Sequence, residues 1–336
     1  MDQEWNSFLA QQGASAEYLD FGNLSGELKE AQTGSIMTPL TDLGVIRATG
    51  ADAADFLHNL LTNDIEALPI DGAGHYGFCT PKGRLLATFL IWRDKDDFLL
   101  ALSADLHAAI LKKLSMYVLR SKVKLTDASD ELILIGVSGP QAAAALSAIS
   151  PIPATLHTSS AEGRQIIRLG EQRFILAVNA TAAPETWNKL REQLHPAGLS
   201  SWRWLEITAG TPQVTAATQE EFIPQMINYE IIGGVSFKKG CYPGQEIVAR
   251  THYLGKVKRR MYRAHIEMGM PAPGSPIFAP ETGDQTCGVI VMAAPAPQGG
   301  HDVLVVIPTS CADTGLIHLG NRNGPMLQLL PLPYTV

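Results

Sequence analysis

The chain has 336 residues, 46% apolar and 18% charged, with a formal net charge of −7. That composition fills two or three ordinary globular cores and excludes a disordered chain. The acidic balance excludes a surface given over wholly to nucleic acid, though not a local basic groove, and no apolar run approaches the roughly 20 residues of a membrane-spanning helix. The N-terminus has no basic segment followed by an apolar run, so no secretory signal is expected. The four cysteines, Cys79, Cys241, Cys287 and Cys311, are scattered with no CxxC or CxxH pair. The spacing therefore names no zinc ribbon, no self-contained ferredoxin-type cluster and no other metal set, and a reduced, cytoplasmic, non-membrane protein is expected.

In chain order, residues 1–35 read as a helical extension. Val45-Ile46-Arg47-Ala48 reads as a strand. Asp52 offers an N-cap to a helix whose stripe is Phe56, Leu57, Leu60 and Leu61. Residues 76–78 and 84–92 form a predicted hairpin around Pro81-Lys82-Gly83, and 98–102 continues the sheet. Leu106, Ile110, Leu114 and Tyr117 share one face of a second helix. The pattern then restarts: a strand over 131–138, a helix over 140–149 with Pro140 at its start, a Pro-broken connection over 150–158, a hairpin over 164–169 and 173–178, and a helix over 184–194. This β-α-β-β-α order suits a ferredoxin-like unit. A helix over 202–209 stops at Gly210-Thr211-Pro212, and a long, mostly irregular passage over 213–237 follows. After Gly255, short β-like runs at 261–266, 288–292, 303–307 and 326–330 are punctuated by Pro and Gly, the pattern of a small antiparallel barrel or sandwich.

The passage leads into the densest chemistry of the chain, Lys238-Lys239-Gly240-Cys241-Tyr242-Pro243-Gly244-Gln245-Glu246. Pro243-Gly244 fits the central pair of a type II turn, and Gln245 opens a helix reaching Tyr253. Glu246 then sits in the first turn, where a carboxylate suits the helix dipole. Cys241 has two readings: a thiol activated by the lysines and the helix start, or a small buried hydrophobe. No histidine lies within the motif to serve as its base, and His252 is eleven residues on. Gln245 with Glu246 offers the donor–acceptor pair that a flat heterocycle needs, or a capping pair. Trp202 and Trp204 flank Arg203. On a helix they point about 200° apart, so one can face a given pocket and stack on a ring. Lys256, Lys258, Arg259, Arg260 and Arg263 are a dense basic cluster, suited to RNA phosphates or to a solvated strand. No P-loop, GxGxxG after a strand, HExxH or GxSxG is present.

Lys239-Gly240-Cys241-Tyr242-Pro243-Gly244-Gln245-Glu246 resembles the KGCYxGQE signature of the YgfZ family, within the superfamily of the glycine-cleavage T-protein, an aminomethyltransferase. Phe222-Ile223-Pro224-Gln225, Asn228 and Gly233-Gly234-Val235-Ser236-Phe237-Lys238 resemble the family's lead-in. Thr49-Gly50-Ala51-Asp52, Ala209-Gly210-Thr211-Pro212 and Pro331-Leu332-Pro333-Tyr334 extend the match over most of the chain from about Pro39. The resemblance implies an α+β, T-protein-like, three-domain arrangement around a central channel: a discontinuous folate-binding α+β domain over 36–127 and 200–254, a ferredoxin-like α+β domain over 128–199 and a C-terminal antiparallel β-barrel over 255–336. It implies tetrahydrofolate or another reduced folate as cofactor, and a cytoplasmic role in maintaining iron–sulfur enzymes, among them tRNA methylthiotransferase. The folate site it implies holds Trp202, Lys239, Tyr242, Gln245 and Glu246, with Cys241 as the candidate for chemistry. The family's second folate-contacting tryptophan falls at Leu43, so aliphatic packing replaces stacking there. The T-protein's essential aspartate lies on a strand matched by Gly83-Arg84-Leu85-Leu86-Ala87-Thr88. Neither Ala87 nor Thr88 is a carboxylate, so aminomethyl transfer by that mechanism is not expected. Three functions stay open: an accessory factor for iron–sulfur enzymes, a folate-dependent one-carbon transferase or demethylase with an unidentified donor, and a module that contacts tRNA directly.

Overall fold

The computed structural model describes residues 3–253, 255 and 257–336. The N-terminal extension forms helices α1 (Gln3–Gln11) and α2 (Leu24–Thr33), followed by strands β1 (Ile36–Pro39) and β2 (Leu43–Thr49). Helix α3 (Ala53–His58) is shorter than its apolar stripe predicts. Leu60 and Leu61 lie beyond its end, and Leu61 bridges to Phe78. The Asp52 carboxylate accepts from the backbone N–H of Lys122 at 2.6 Å. Next come β3 (Ala73–Cys79), β4 (Leu85–Asp94), β5 (Asp97–Ser103), α4 (Ala104–Ser115), β6 (Lys124–Asp127), β7 (Leu132–Ser138), α5 (Ala142–Ser147), β8 (Thr158–Ala161), β9 (Arg164–Arg168), β10 (Arg173–Asn179), α6 (Ala183–Leu190) and β11 (His195–Pro196). Helices α7 (Leu199–Thr208) and α8 (Gln245–Tyr253) flank the long passage, which holds only short 3-10 turns at Ala216–Thr218 and Pro224–Ile227. The C-terminal part contains β12 (Arg259–Ile266), β13 (Pro276–Phe278), β14 (Thr286–Pro295), β15 (His301–Pro308), α9 (Thr309–Thr314), β16 (Ile317–Leu319) and β17 (Met326–Leu330).

The chain folds as two compact units, each assembled from separate stretches. The first takes the chain through Phe56, Ala67–Gly74 and Leu90–Trp202. Its six-stranded sheet has the order β11-β1-β7-β10-β9-β8. All seven residues of β7 are buried, as a central strand covered on both faces requires. Trp5 and Leu9 of α1, Ile133 and Val137 of β7, Phe174 of β10 and Trp187 of α6 share one core. Trp5 meets Trp187 edge-on with ring centroids 5.7 Å apart, so the N-terminal helix is part of this core. A second antiparallel ladder pairs residues 90–94 of β4 with β5, β5 with β2, and β2 with β6.

The second unit takes Leu57–Glu66, His75–Phe89 and residues from Arg203 onward. It contains the hairpin halves of β3 and β4, helix α8 and a closed barrel in the order β12-β15-β14-β13-β16-β17. Val303, Val305 and Ile307 of β15 alternate into the barrel core beside Ile266, Cys287, Ile290, Ile317 and Leu327. Asp302, on the same strand, is fully buried. It accepts from Trp204 Nε1 at 3.0 Å, a guanidinium nitrogen of Arg263 at 2.7 Å and His265 Nδ1 at 2.9 Å. No helix among the described residues is long and apolar enough to cross a membrane.

Candidate functional site around Cys241

The passage 213–237 is irregular but not loose, because many of its backbone groups are paired. It runs beside β4: Leu85 N–H donates to the Phe222 carbonyl and Glu220 N–H to the Leu85 carbonyl, both at 2.8 Å. Thr88 Oγ1 accepts from Val214 N–H at 3.0 Å, and Gln219 Nε2 donates to the Leu86 carbonyl at 2.9 Å. Thr62 stitches the lead-in to the loop after α3: its hydroxyl donates to the Gly234 carbonyl at 2.6 Å, and its carbonyl accepts from Ser236 N–H at 2.9 Å. Asn63 Nδ2 adds a bond of 2.7 Å to the Gly233 carbonyl. The buried Tyr229 hydroxyl reaches the carbonyls of Tyr76 and Phe89, and desolvation pushes its pKa far up. With so many backbone partners fixed, the loop that follows starts from a rigid base.

The sharp turn predicted at Pro243-Gly244 is present. Gln245 N–H donates to the Tyr242 carbonyl at 3.1 Å, and Gly244 has φ of 84°. A Cβ at Gly244 would lie 2.5 Å from the Thr80 carbonyl oxygen and 2.6 Å from Gly83 Cα. Glycine is therefore required here twice over, by backbone conformation and by the backbone of the β3–β4 hairpin pressed against it. Helix α8 begins at Gln245 as the sequence predicts. It is tied down by Gln225 Nε2, which donates to the Val248 carbonyl at 2.7 Å.

Within this frame the signature side chains divide by direction. Lys239 is buried, and its ammonium donates to the backbone carbonyls of His58 and Leu61, the latter at 2.7 Å. It also lies 5.1 Å from the centre of the buried Tyr242 ring. Burial pushes Lys239 down to about 8, against the opposing pull of Asp64, Glu66 and Cys241. Gln245 Nε2 points back at the carbonyls of Lys239 and Gly240, at 3.5 and 3.3 Å. Cys241 and Glu246 face solvent. The loop is thus anchored from beneath by an amine and a phenol and presents a thiol and a carboxylate outward. The other three cysteines are buried. Desolvation raises the thiol pKa of Cys79 and of Cys311, and pushes Cys287 up to about 12.

The fold does bring a histidine near the motif. His58, at the end of α3, has Nε2 3.5 Å from where a Cβ on Gly240 would stand. Its Nδ1 lies 3.2 Å from Asp64 Oδ1 and 3.9 Å from Glu66 Oε2. Sequence reasoning missed all three residues. His58-x5-Asp64-x-Glu66 was readable as a spacing, but its approach to residue 240 was not. His252, in contrast, stacks on Phe237 with centroids 3.8 Å apart.

Trp202 and Leu43 belong to the first unit. Trp202 is buried at 4% exposure, and Gly136 of β7 makes room for it. A Cβ at Gly136 would come within 2.5 Å of the indole ring. Trp204 is buried as well. Leu43 lines a cavity of about 220 Å³ together with Trp5, Thr41, His107, Asp127 and Ser129. Its polar end is ordered: Asp127 Oδ1 accepts from Ser129 N–H at 2.9 Å and lies 3.4 Å from His107 Nε2. The volume falls below the roughly 300–1,000 Å³ of whole-ligand pockets, so it has room for one ring system and not for an entire folate.

Two residues of the basic cluster are turned inward. Arg260 donates to Glu230 Oε1 at 2.5 Å and to the Gln225 carbonyl at 2.9 Å, and Arg263 is held by Asp302. Lys258 and Arg259 are exposed, and Lys256 lies outside the described residues.

The GCVT N-terminal domain family model matches residues 8–161. The tRNA-modifying protein YgfZ of Serratia proteamaculans is 30% identical over 303 residues, covering 88% of this chain and 92% of that protein. Its counterpart in Escherichia coli O7:K1 is 30% identical over 314 residues, covering 90% and 96%. Among solved structures, the glycine cleavage system aminomethyltransferase T from Bartonella henselae matches with a TM-score of 0.82 at 18% identity, over 100% of this chain and 98% of that one. At that identity the likeness establishes the fold: T-protein-like, mixed α and β, with a closed antiparallel barrel toward the C-terminus.

Proposed function

The chain belongs to the YgfZ family, and on that premise we propose that it serves tRNA modification as a folate-binding accessory factor in the cytoplasm. Its clients are iron–sulfur enzymes, of which tRNA methylthiotransferase is the test case, and its ligand is tetrahydrofolate or another reduced folate. The folate-binding part is residues 36–127 with 200–254; the other parts are a ferredoxin-like domain over 128–199 and the barrel over 255–336. One observation carries the reading: the signature loop is rigidly anchored through Lys239 and Tyr242 yet leaves Cys241 and Glu246 in solvent. That is the arrangement of a group offered to a partner, not of a core thiol.

The residues present suit a folate in part. The resemblance assigns the indole of Trp202 to a bicyclic ring, but at 4% exposure it is packed in the core and does not line the cavity at Leu43; that cavity has the apolar walls and the polar end that a single heterocycle needs. Lys239, Tyr242 and Gln245 would shape the site from behind: the Lys239 ammonium is taken up by the carbonyls of His58 and Leu61, Gln245 Nε2 by its own loop, and Tyr242 is buried. Bound folate would supply one-carbon chemistry. The chain gives it no aminomethyltransferase carboxylate: Ala87 is buried, and the Thr88 hydroxyl is already held by Val214. The inward-turned Arg260 and Arg263 favour indirect service to tRNA over direct binding of it.

The test has two parts. Tetrahydrofolate quenches tryptophan fluorescence of the wild type, and Trp202→Ala weakens binding at least tenfold, roughly the loss of one stacked ring. A deletion strain loses cluster-dependent tRNA methylthiolation, and Cys241→Ala fails to restore it. Full restoration by Cys241→Ala removes the thiol from the proposal. Normal methylthiolation in the deletion strain removes the proposal itself and favours a one-carbon transferase or demethylase.

A further inference from the structure

His58 is nine-tenths buried. Its Nδ1 is out of solvent and has no hydrogen-bond partner. An imidazole nitrogen left in that state needs an explanation, and an ion is one of the few available. The atom is aimed at two carboxylates. Asp64 Oδ1 stands 3.2 Å away and Glu66 Oε2 3.9 Å away, and the three donor atoms lie within 4.8 Å of one another.

These separations suit a single metal ion. With bonds of about 2.0–2.2 Å to nitrogen and oxygen, two ligands of one ion stand at most about 4.4 Å apart. The two histidine–carboxylate distances already satisfy this. The widest gap closes by rotation of Glu66, whose side chain is 58% exposed. Charge points the same way. Asp64 and Glu66 carry two negative charges, and the neighbouring Lys239 ammonium offsets one while donating to backbone carbonyls.

We infer that His58, Asp64 and Glu66 form a binding site for a first-row divalent transition ion. An imidazole with two carboxylates suits zinc, iron(II) or manganese better than the all-oxygen preference of magnesium or calcium. Three protein ligands leave at least one coordination position open, the state that metal sites use to bind or activate a further group. His58 Nε2 also lies 3.5 Å from where a Cβ on Gly240 would stand, so a filled site would brace the loop that presents Cys241. The inference does not depend on folate or on tRNA.

Full-length protein, stripped with chelator, is titrated with Zn(II) and with Co(II). One equivalent binds, and Co(II) gives weak d–d bands without thiolate-to-metal charge transfer. Asp64→Asn and Glu66→Gln, both at solvent-accessible positions, each weaken binding at least tenfold, the lower bound that even outer-shell partners cost. His58→Gln does the same, and Cys241→Ser leaves affinity and stoichiometry unchanged. Mg(II) in large excess does not displace the ion. Binding to wild type no tighter than to the Asp64→Asn/Glu66→Gln double variant overturns the site. So does a thiolate charge-transfer band that vanishes in Cys241→Ser, which would put the metal on the sulfur instead.

Discussion

Lys239 and Cys241 are two residues apart and do opposite things. The Lys239 ammonium fills the carbonyl acceptors at the end of α3, where a helix leaves its last C=O groups without intrahelical partners. Lys239→Met keeps the stem and deletes the donors. We expect it to cost about 2 kcal/mol, since hydrogen bonds to a charged group are lost and two carbonyls are left unpaired, read as a lower urea midpoint at unchanged slope. Cys241 is the exposed thiol, whereas Cys79, Cys287 and Cys311 are buried. A native thiol titration therefore reports one fast equivalent, absent in Cys241→Ser, and three more only after unfolding. More than one fast equivalent in the native wild type contradicts the burial pattern. At this scale the sequence located the loop, its turn and the start of its helix, because glycine, proline and helix-entry chemistry are local. It did not locate His58, whose relation to Lys239 spans 181 residues, nor the inward direction of Lys239 and Tyr242.

Longer elements were legible and the shortest were not. Strands β2, β4, β7, β9, β10, β12, β14 and β15 coincide with apolar or alternating runs, but β1, β6, β8, β11, β13 and β16 have four residues or fewer. A run that short shows at most two turns of alternation, and its pairing is decided by a neighbour and not by its own pattern. The 140–149 helix shrinks to six residues for the related reason that its stretch lacks a side-chain cap. The junction between hairpin and signature turn is an element-scale feature with a sharp test. Gly244→Ala forces a Cβ into φ of 84° and against Thr80 and Gly83. We expect about 2–3 kcal/mol of destabilisation, strain plus displacement of the hairpin, measured by denaturant unfolding. A neutral substitution would mean that the two backbones are not in contact.

At the scale of the molecule, the barrel and the residues of α7 in its unit are joined through Asp302. One buried carboxylate receives an indole, a guanidinium and an imidazole. Asp302→Ala leaves the half-buried Arg263 without its counter-ion and Trp204 and His265 without their acceptor, and costs about 3–5 kcal/mol, seen as early loss of barrel signals on heating. The sequence marked Arg263 as part of a basic surface because nothing local paired it with a residue 39 positions away. The barrel itself was legible from its punctuation by Pro and Gly, and its closure was not, because β13 and β16 are too short to read. The interleaving of segments also sets an order of events during synthesis. Residues 57–66 leave the ribosome soon before the β3 residues that pair with them, but the carbonyls of His58 and Leu61 must wait for Lys239 to be made. Premature termination anywhere before the signature leaves that early stretch without its anchor, and a truncated chain is therefore marked for proteolysis near its beginning as well as at its broken end.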